Sequence, residues 1–416
     1  MRKTMAVLLL AAMLLCIFTG CGENTDIGKT RALSDGISAK RVNTDSVTLN
    51  GDYAVSATDF AVRLFKECAI PGENTLISPV SVLYALSMTA NGANGETKSQ
   101  METVLGAPVS ELNDYLCAYM DSLPENEKYR LSIANSIWFT NNKDFTVNKD
   151  FLHANADYYG ADIYQAPFDA STCDDINKWV EDKTDGMVKD ILDEIPSDAI
   201  MYLVNALAFD AEWLKIYDES EVRDGSFTTE DGKTQDAKFM YSEESLYLED
   251  ENATGFIKYY ADEKYAFAAL LPDEGVTVDE YLSSMTGESL HKMLSNPQNI
   301  KVEIAIPKFE SEYSTDMADI LAAMGMPDAF NKHNADFTRL GASETGNIFI
   351  SRVLHKTKIA VDEKGTKAGS STAVEMKTES RPEFSQAVYL DRPFIYMLID
   401  REANLPLFIG TMMDMD

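Results

Sequence analysis

Residues able to do acid–base or nucleophilic chemistry are few and scattered in this sequence. The 416-residue chain has four histidines, His153, His291, His333 and His355. A serine hydrolase needs a histidine held between a nucleophile and a carboxylate, yet neither a Gly-x-Ser-x-Gly turn nor a His-Glu-x-x-His helix is present. The sequence therefore favours a hydrogen-bonded core role for His355 over a catalytic one, and predicts that the protein is not an enzyme.

Metal and disulfide chemistry have equally little support. Beyond the N-terminal region the cysteines are Cys68, Cys117 and Cys173, an odd number with no C-x-x-C pair, which predicts buried thiols rather than a zinc site or a disulfide framework. The acidic residues between positions 182 and 194 miss the spacing of an EF-hand loop and favour a solvated face. No metal site and no cofactor is expected.

Composition limits the class of partner. The net charge of −32 argues against nucleic acid and anionic lipid surfaces, because the long-range field of the protein would repel both. With 45% hydrophobic and 25% charged residues, the chain has an ordinary globular composition and enough length for a large core. Length alone would allow two or three domains.

One stretch near the C-terminal end alternates like a strand yet has the composition of a loop. Its first half consists of Gly, Ser, Ala and Thr, which suits an exposed linker. Read from Gly365, small or apolar residues occupy alternate positions, as on the buried face of a strand: Thr366, Ala368, Ser370, Thr372, Val374, Met376 and Thr378. The long charged residues fall on the other face: Lys367, Glu375, Lys377 and Glu379. Taken alone, the stretch is either a linker or a segment that is first loop and later strand.

The flanks of this stretch resemble those of the serpins. Glu363-Lys-Gly-Thr366 precedes the small residues, and Leu390-Asp-Arg-Pro-Phe394 and Pro406-Leu-Phe-Ile-Gly410 follow them. The resemblance extends back to about Asp52 and implies one serpin domain over residues 52–416. It also implies an α+β fold with three β-sheets, about nine helices and an exposed reactive-centre loop. Strands interleaved with helices, without a regular βαβ repeat, agree with that class.

The resemblance implies a suicide-substrate inhibitor of serine proteinases. In that family a proteinase cleaves the loop, stays attached as an acyl-enzyme, and is trapped when the freed arm inserts into the main sheet. The hinge of that arm would be Glu363, Lys364, Gly365, Thr366, Lys367, Ala368, Gly369, Ser370, Ser371 and Thr372. Its small inward-facing residues are typical of inhibitory members. Lys367 departs from the usual Glu, but on the outward face.

The position of the reactive bond stays open between neighbouring residues. The usual hinge length places the cut after Glu379, with Ser380 beyond it, or after Thr378. Thr378 suits an elastase-like pocket, whereas Glu379 requires a basic pocket, because a buried unpaired carboxylate is costly. Arg381 is discounted because Pro382 follows it.

The target expected from these residues is a serine proteinase of elastase-like or subtilisin-like preference, held in a covalent complex with a monomeric inhibitor. The alternative is a non-inhibitory serpin that acts as a binding or chaperone protein.

Two residue groups are expected to position the hinge. The segment Asn74-Thr-Leu-Ile-Ser-Pro-Val-Ser81 predicts a helix start, with Ser78 as the cap and Pro79 in the first turn. The family resemblance implies that Trp213 marks the breach, the top of the sheet where the loop inserts. It also implies a polar cluster under the middle of the sheet, the shutter, formed by Ser78, Ser81, Asn205 and His355.

Apolar periodicity predicts the elements that carry these residues. Helices are expected over residues 53–67, 149–159, 175–182 and 317–324. Strands are expected over residues 131–139, 201–209, 256–260, 266–271, 301–309, 348–361, 389–400 and 405–411.

The N-terminal region predicts export. Residues 1–21 read as a signal peptide, with Arg2 and Lys3 before an apolar core that is too short for a comfortable membrane span. Gly20-Cys21 resembles a bacterial lipobox, although Phe18 stands where Leu is usual, so secretion with cleavage nearby is the alternative. Residues 22–51 predict a flexible tether. We expect an extracellular bacterial protein, secreted or held at the cell surface through a lipid on Cys21.

Overall fold

The computed structural model describes residues 30–33, 37, 39–124, 126, 128–196, 199–344, 346–366 and 386–415. Several predictions concern residues outside these ranges. They are the signal peptide, lipidation of Cys21, the hinge from Lys367 through Ala368, Gly369, Ser370 and Ser371 to Thr372, and the reactive bond at Thr378, Glu379 or Ser380.

Ten α-helices occur in the described part of the chain. They are α1 (Asp52–Cys68), α2 (Pro79–Ala90), α3 (Gly95–Leu105), α4 (Val109–Asp121), α5 (Lys149–Tyr159), α6 (Ala170–Lys183), α7 (Val278–Ser284), α8 (Gly287–Ser295), α9 (Ala318–Ala323) and α10 (Pro327–Phe330). None of these helices is long and apolar enough to cross a membrane.

The strands of the first half are β1 (Arg31–Ala32), β2 (Thr75–Ile77), β3 (Tyr129–Thr140), β4 (Phe145–Val147), β5 (Asp162–Ala166), β6 (Met201–Glu212), β7 (Val222–Thr228), β8 (Thr234–Glu249) and β9 (Ala253–Tyr259). Those of the second half are β10 (Tyr265–Pro272), β11 (Gln298–Pro307), β12 (Phe309–Asp316), β13 (Gly341–Ser343), β14 (Leu354–Val361), β15 (Gly365–Thr366), β16 (Gln386–Tyr389), β17 (Phe394–Asp400) and β18 (Leu405–Met412).

The described strands form three sheets, and the predicted α+β fold is confirmed. The main sheet has seven strands in the order β1-β5-β3-β6-β15-β14-β12. The second sheet has nine, in the order β16-β11-β8-β9-β10-β17-β18-β2 with β7 added on β8, and β13 pairs with β4 in the third. The short strand β15 is the element of interest, because its two residues belong to the predicted hinge.

The main sheet is covered on both faces near α6. One large apolar cluster includes Phe209 of β6 and Tyr396 of β17, and so joins the main sheet to the second sheet. A separate cluster packs Ile176 and Val180 of α6 against Val204 of β6. Burial on both faces explains why β6 is almost continuously apolar, as its sequence predicted.

Three predicted strands differ from those observed. The strand expected over residues 348–361 begins only at Leu354, because the amide of Val353 donates to the Asp316 carboxylate (3.0 Å) and that of Ile350 to Ala329 O (2.9 Å). The segment 301–309 divides into the ends of β11 and β12. The segment 389–400 divides into β16 and β17 around Pro393, which has no amide hydrogen for a ladder.

The described part of the predicted tether lies against the domain. Arg31 and Ala32 form the edge strand of the main sheet, paired with Gln165 and Tyr164 of β5. Farther along, the Tyr115 hydroxyl donates to Leu49 O (2.8 Å). Leu33, Ile37, Val47 and Leu49 pack on the main core. This differs from the free tether expected from composition, because apolar residues too few to fold alone can still pack on a surface that the domain supplies.

Candidate functional site: the hinge and the opening of the main sheet

The hinge has already begun to enter the main sheet. In β15, Thr366 lies between Ala211 of β6 and Val361 of β14, and Gly365 lies opposite Glu212. The Thr366 side chain is 1% exposed, and its hydroxyl lies 2.5 Å from the Tyr260 hydroxyl. Thr366 thus faces the interior, as the alternating pattern of the sequence predicted.

Gly365 allows this close approach to β6. A β-carbon at this position would overlap the backbone oxygen of Ala211 and crowd Glu212. Only glycine can therefore pair here without pushing the hinge away from β6.

A tight turn joins β14 to β15. The amide of Asp362 donates to Gly365 O (3.0 Å), and the Asp362 carboxylate accepts from the amides of Lys364 (2.8 Å) and Gly365 (3.3 Å). At the tip, Glu363 forms an ion pair with Lys308. Burial acts to raise the pKa of Glu363, but the hydrogen bond and charge of Lys308 outweigh it, so that this pKa lies below its ordinary value.

Trp213 connects the hinge to the second sheet. Its indole nitrogen donates to Asp362 O (2.8 Å) and its amide to Lys364 O (2.7 Å). The ring is 1% exposed and stacks on Tyr260, with centroids 4.5 Å apart and planes at 6°. The structure therefore places Trp213 directly after β6 and in contact with the hinge turn.

Two contributors to the hinge region were missed from the sequence. Tyr260 stacks on Trp213 and its hydroxyl contacts that of Thr366, although in the sequence it is only the last residue of an alternating strand. Lys258 is 2% exposed, with its ammonium 2.7 Å from the Glu244 carboxylate and 4.5 Å from the ring centroid of Tyr217. A buried lysine has no local sequence signal, because its partners are remote along the chain.

The four predicted shutter residues meet beneath the sheet, where α2, β6 and β14 converge. The amide of Ser78 donates to His355 Nε2 (3.1 Å), and the Ser81 hydroxyl donates to Asn205 Oδ1. Ser78 also caps α2, since its hydroxyl accepts from the Ser81 amide (3.3 Å). One member was missed: Asn135 of β3, whose side-chain oxygen accepts from Asn205 (2.6 Å).

The shutter borders a small cavity. A cavity of about 20 Å³ lies between Asn205 of β6 and His355 of β14. It is on the path that residues following Thr366 would take if the strand continued between β6 and β14. The cluster is therefore placed to respond when these two strands separate.

His355 is held neutral by its surroundings. Burial lowers its pKa to about 4, and an imidazole nitrogen that accepts a hydrogen bond cannot carry a proton. An unfolded chain takes up this proton near pH 6.5, so stability contributed by neutral His355 is complete above that pH and is lost as the pH falls toward 4.

Because of this residue, we expect the free energy of unfolding, measured from the first transition in urea, to fall by about 2 kcal/mol between pH 7.5 and pH 5. His355→Gln should reduce that pH dependence, while His153→Gln, at an exposed helix position, should retain it. Equal pH dependence in wild type and His355→Gln, followed by fluorescence, would contradict the assignment.

Metal chemistry and disulfides find no support in the described residues. Within those ranges no three His, Cys, Asp or Glu side chains are grouped to hold a metal ion. Cys68, Cys117 and Cys173 are free and buried, as predicted. Burial raises the pKa of the Cys68 thiol to about 12, which keeps it unreactive.

Comparison with known proteins gives a consistent result. A family model described as serpin (serine protease inhibitor) matches residues 55–415. The chain is 30% identical to an uncharacterized serpin-like protein of Thermococcus kodakarensis over an alignment of 438 positions, which covers 100% of this chain and 99% of that protein.

Solved structures agree with this match. The native form of the thermophilic serpin tengpin superposes with a TM-score of 0.88 at 46% identity, covering 93% of this chain and 100% of that one. Its latent form superposes less well, at 0.79 with 44% identity, covering 91% and 100%. Human thyroxine-binding globulin superposes at 0.77 with 26% identity, covering 89% and 100%. The chain belongs to the serpin family.

Proposed function

We propose that the protein inhibits serine proteinases as a suicide substrate. The catalytic serine of the proteinase attacks the carbonyl carbon of Thr378 or Glu379, the peptide C–N bond that follows this residue breaks, and the new amine leaves with a proton. The acylated arm then inserts between β6 and β14 and carries the enzyme with it. The observation that carries this proposal is β15, the part of the hinge in which Gly365 and Thr366 already pair with β6 and Thr366 also pairs with β14.

The register of β15 supports insertion of the rest of the arm. Thr366 is antiparallel to Ala211 and Val361, so each further loop residue moves one residue back along β6 and β14. Six residues on, Thr372 comes opposite Asn205 and His355, in the shutter. Small alternate residues can enter there without the desolvation or steric barrier of a large side chain.

The same register accounts for the unusual Lys367. Its expected neighbour on β6 is Asp210, on the face opposite the buried Ala211. A cation at Lys367 faces a carboxylate in this register, where Glu would face a like charge. The departure from the family pattern is therefore compatible with insertion.

The test is incubation of the purified protein, beginning at residue 22, with an elastase, a subtilisin and a glutamyl endopeptidase. A covalent adduct that survives denaturing electrophoresis is expected with at least one enzyme. The mass of the released C-terminal peptide then identifies the reactive bond.

A second candidate is a non-inhibitory binding or chaperone protein. It is favoured by the likeness to thyroxine-binding globulin, a serpin that binds thyroxine. Clean cleavage by all three enzymes without an adduct would favour this candidate over inhibition.

We also propose that the protein is exported and held at the cell surface through Cys21. The Gly20-Cys21 motif supports this location, and only nine residues separate Cys21 from β1. Fully extended, they span about 30 Å at most, so the domain would stay close to the membrane. Fatty-acid labelling of wild type but not of Cys21→Ser is the expected result, and equal labelling of both would refute it.

A further inference from the structure

Exposed apolar side chains concentrate at the two ends of the reactive loop. Among the described residues, five large apolar side chains are notably exposed: Val55, Ile70, Leu214, Ile216 and Tyr389. Leu214 (51%) and Ile216 (39%) follow β6 next to the hinge, and Tyr389 (36%) ends β16, which begins where the loop finishes. Three of the five thus border the segment that a proteinase must bind.

The segment carrying Leu214 and Ile216 is held firmly on both sides. Trp213 and Tyr217 are buried, and their amides donate to Lys364 O (2.7 Å) and Glu363 O (2.9 Å) of the hinge. The amide of Leu214 donates to Tyr259 O (3.0 Å). Because the backbone is fixed, the two apolar side chains can be covered by a partner with little loss of backbone freedom.

The length of the loop identifies what would cover them. The bond after Thr378 lies twelve residues from Thr366 and eight from Gln386, so it stays within about 40 Å and about 27 Å of those anchors even when fully extended. A proteinase domain of about 220 residues has a radius of gyration of about 17 Å. An enzyme with this bond in its active-site cleft can therefore reach the end of the molecule that carries Leu214 and Ile216.

We propose that Leu214 and Ile216 form a secondary binding site for the target serine proteinase. These two side chains contact an apolar surface of the enzyme that lies beside its active-site cleft. The exposed Lys215 between them would lie at the edge of the contact. This inference rests on the proposed function only in requiring a serine proteinase that cleaves the loop. The site would raise the rate of loop recognition beyond what the loop sequence alone provides.

The test measures the second-order rate at which subtilisin cleaves the loop, with covalent adduct and cleaved protein counted together. The proteins compared are wild type, the double variant Leu214→Ser with Ile216→Ser, and the matched control Ile70→Ser, which alters an exposed apolar residue away from both loop ends. We expect a fall of about tenfold in the double variant, a usual effect of truncating central interface side chains, and no change in the control. The synthetic peptide 366–385 should be cleaved more slowly than the folded protein.

Each other outcome is informative. An unchanged or faster rate in the double variant would overturn the proposal, and a changed sedimentation coefficient with an unchanged rate would assign the surface to self-association instead. A slower rate together with an altered ratio of adduct to cleaved protein would indicate a disturbed hinge and also overturn it. Absence of adduct with subtilisin, as with the elastase and the glutamyl endopeptidase, would refute inhibition, yet the cleavage rates still decide whether Leu214 and Ile216 bind the proteinase.

Discussion

Replacing Thr366 by arginine is expected to abolish inhibition and convert the protein into a proteinase substrate. The Thr366 side chain is 1% exposed between β6 and β14 and meets the Tyr260 hydroxyl. A guanidinium could remain there only as a buried, unpaired charge, which costs several kcal/mol. The hinge should therefore leave the sheet before cleavage and fail to insert afterwards, so that the acyl-enzyme is hydrolysed.

The measurement is the ratio of covalent adduct to cleaved protein on denaturing electrophoresis. Lys367→Arg is the matched control, because it introduces the same side chain one position later, on the face expected to remain in water. This control should still form adduct. Full inhibition by Thr366→Arg would refute insertion of the loop as the trapping step.

Cleavage of the loop is expected to stabilise the protein rather than weaken it. The cleaved arm can continue β15 between β6 and β14, and each residue that it adds to the sheet gains ladder hydrogen bonds worth about 1 kcal/mol. Over about ten residues, the free energy of unfolding should rise by an amount on the order of 10 kcal/mol. For a domain of this size, that corresponds to a rise in melting temperature of at least about 10 °C.

Scanning calorimetry of intact and loop-cleaved protein measures this effect. Cleaved Thr366→Arg serves as the control, because it has the same broken bond but a hinge that cannot insert, and its melting temperature should not rise. An equal or lower melting temperature in cleaved wild type would mean that the arm stays outside the main sheet.

Local pattern was sufficient for much of the fold. Ser78 and Pro79 predicted the start of α2, and the apolar run from Met201 predicted β6, because caps and periodicity depend on neighbours in the chain. The inward face of the hinge was likewise readable from alternation at Thr366. The family resemblance, rather than periodicity, brought Ser81, Asn205 and His355 into one cluster.

Other features depended on partners far along the chain. The strand expected from residue 348 starts at Leu354 because the Asp316 carboxylate binds the Val353 amide. Residues 31–32 dock as an edge strand only because β5 offers an unpaired edge.

The sequence by itself determined the family, the small-residue hinge and the positions of most helices and strands, since these follow from residue type and spacing. Only the tertiary structure decided that Thr366 is already seated against Tyr260, that Lys258 is buried beside Glu244, and that Leu214 and Ile216 stay exposed next to the hinge. The reason is physical: burial and pairing are set by groups that meet through folding, and no local pattern records which remote surface a side chain will face.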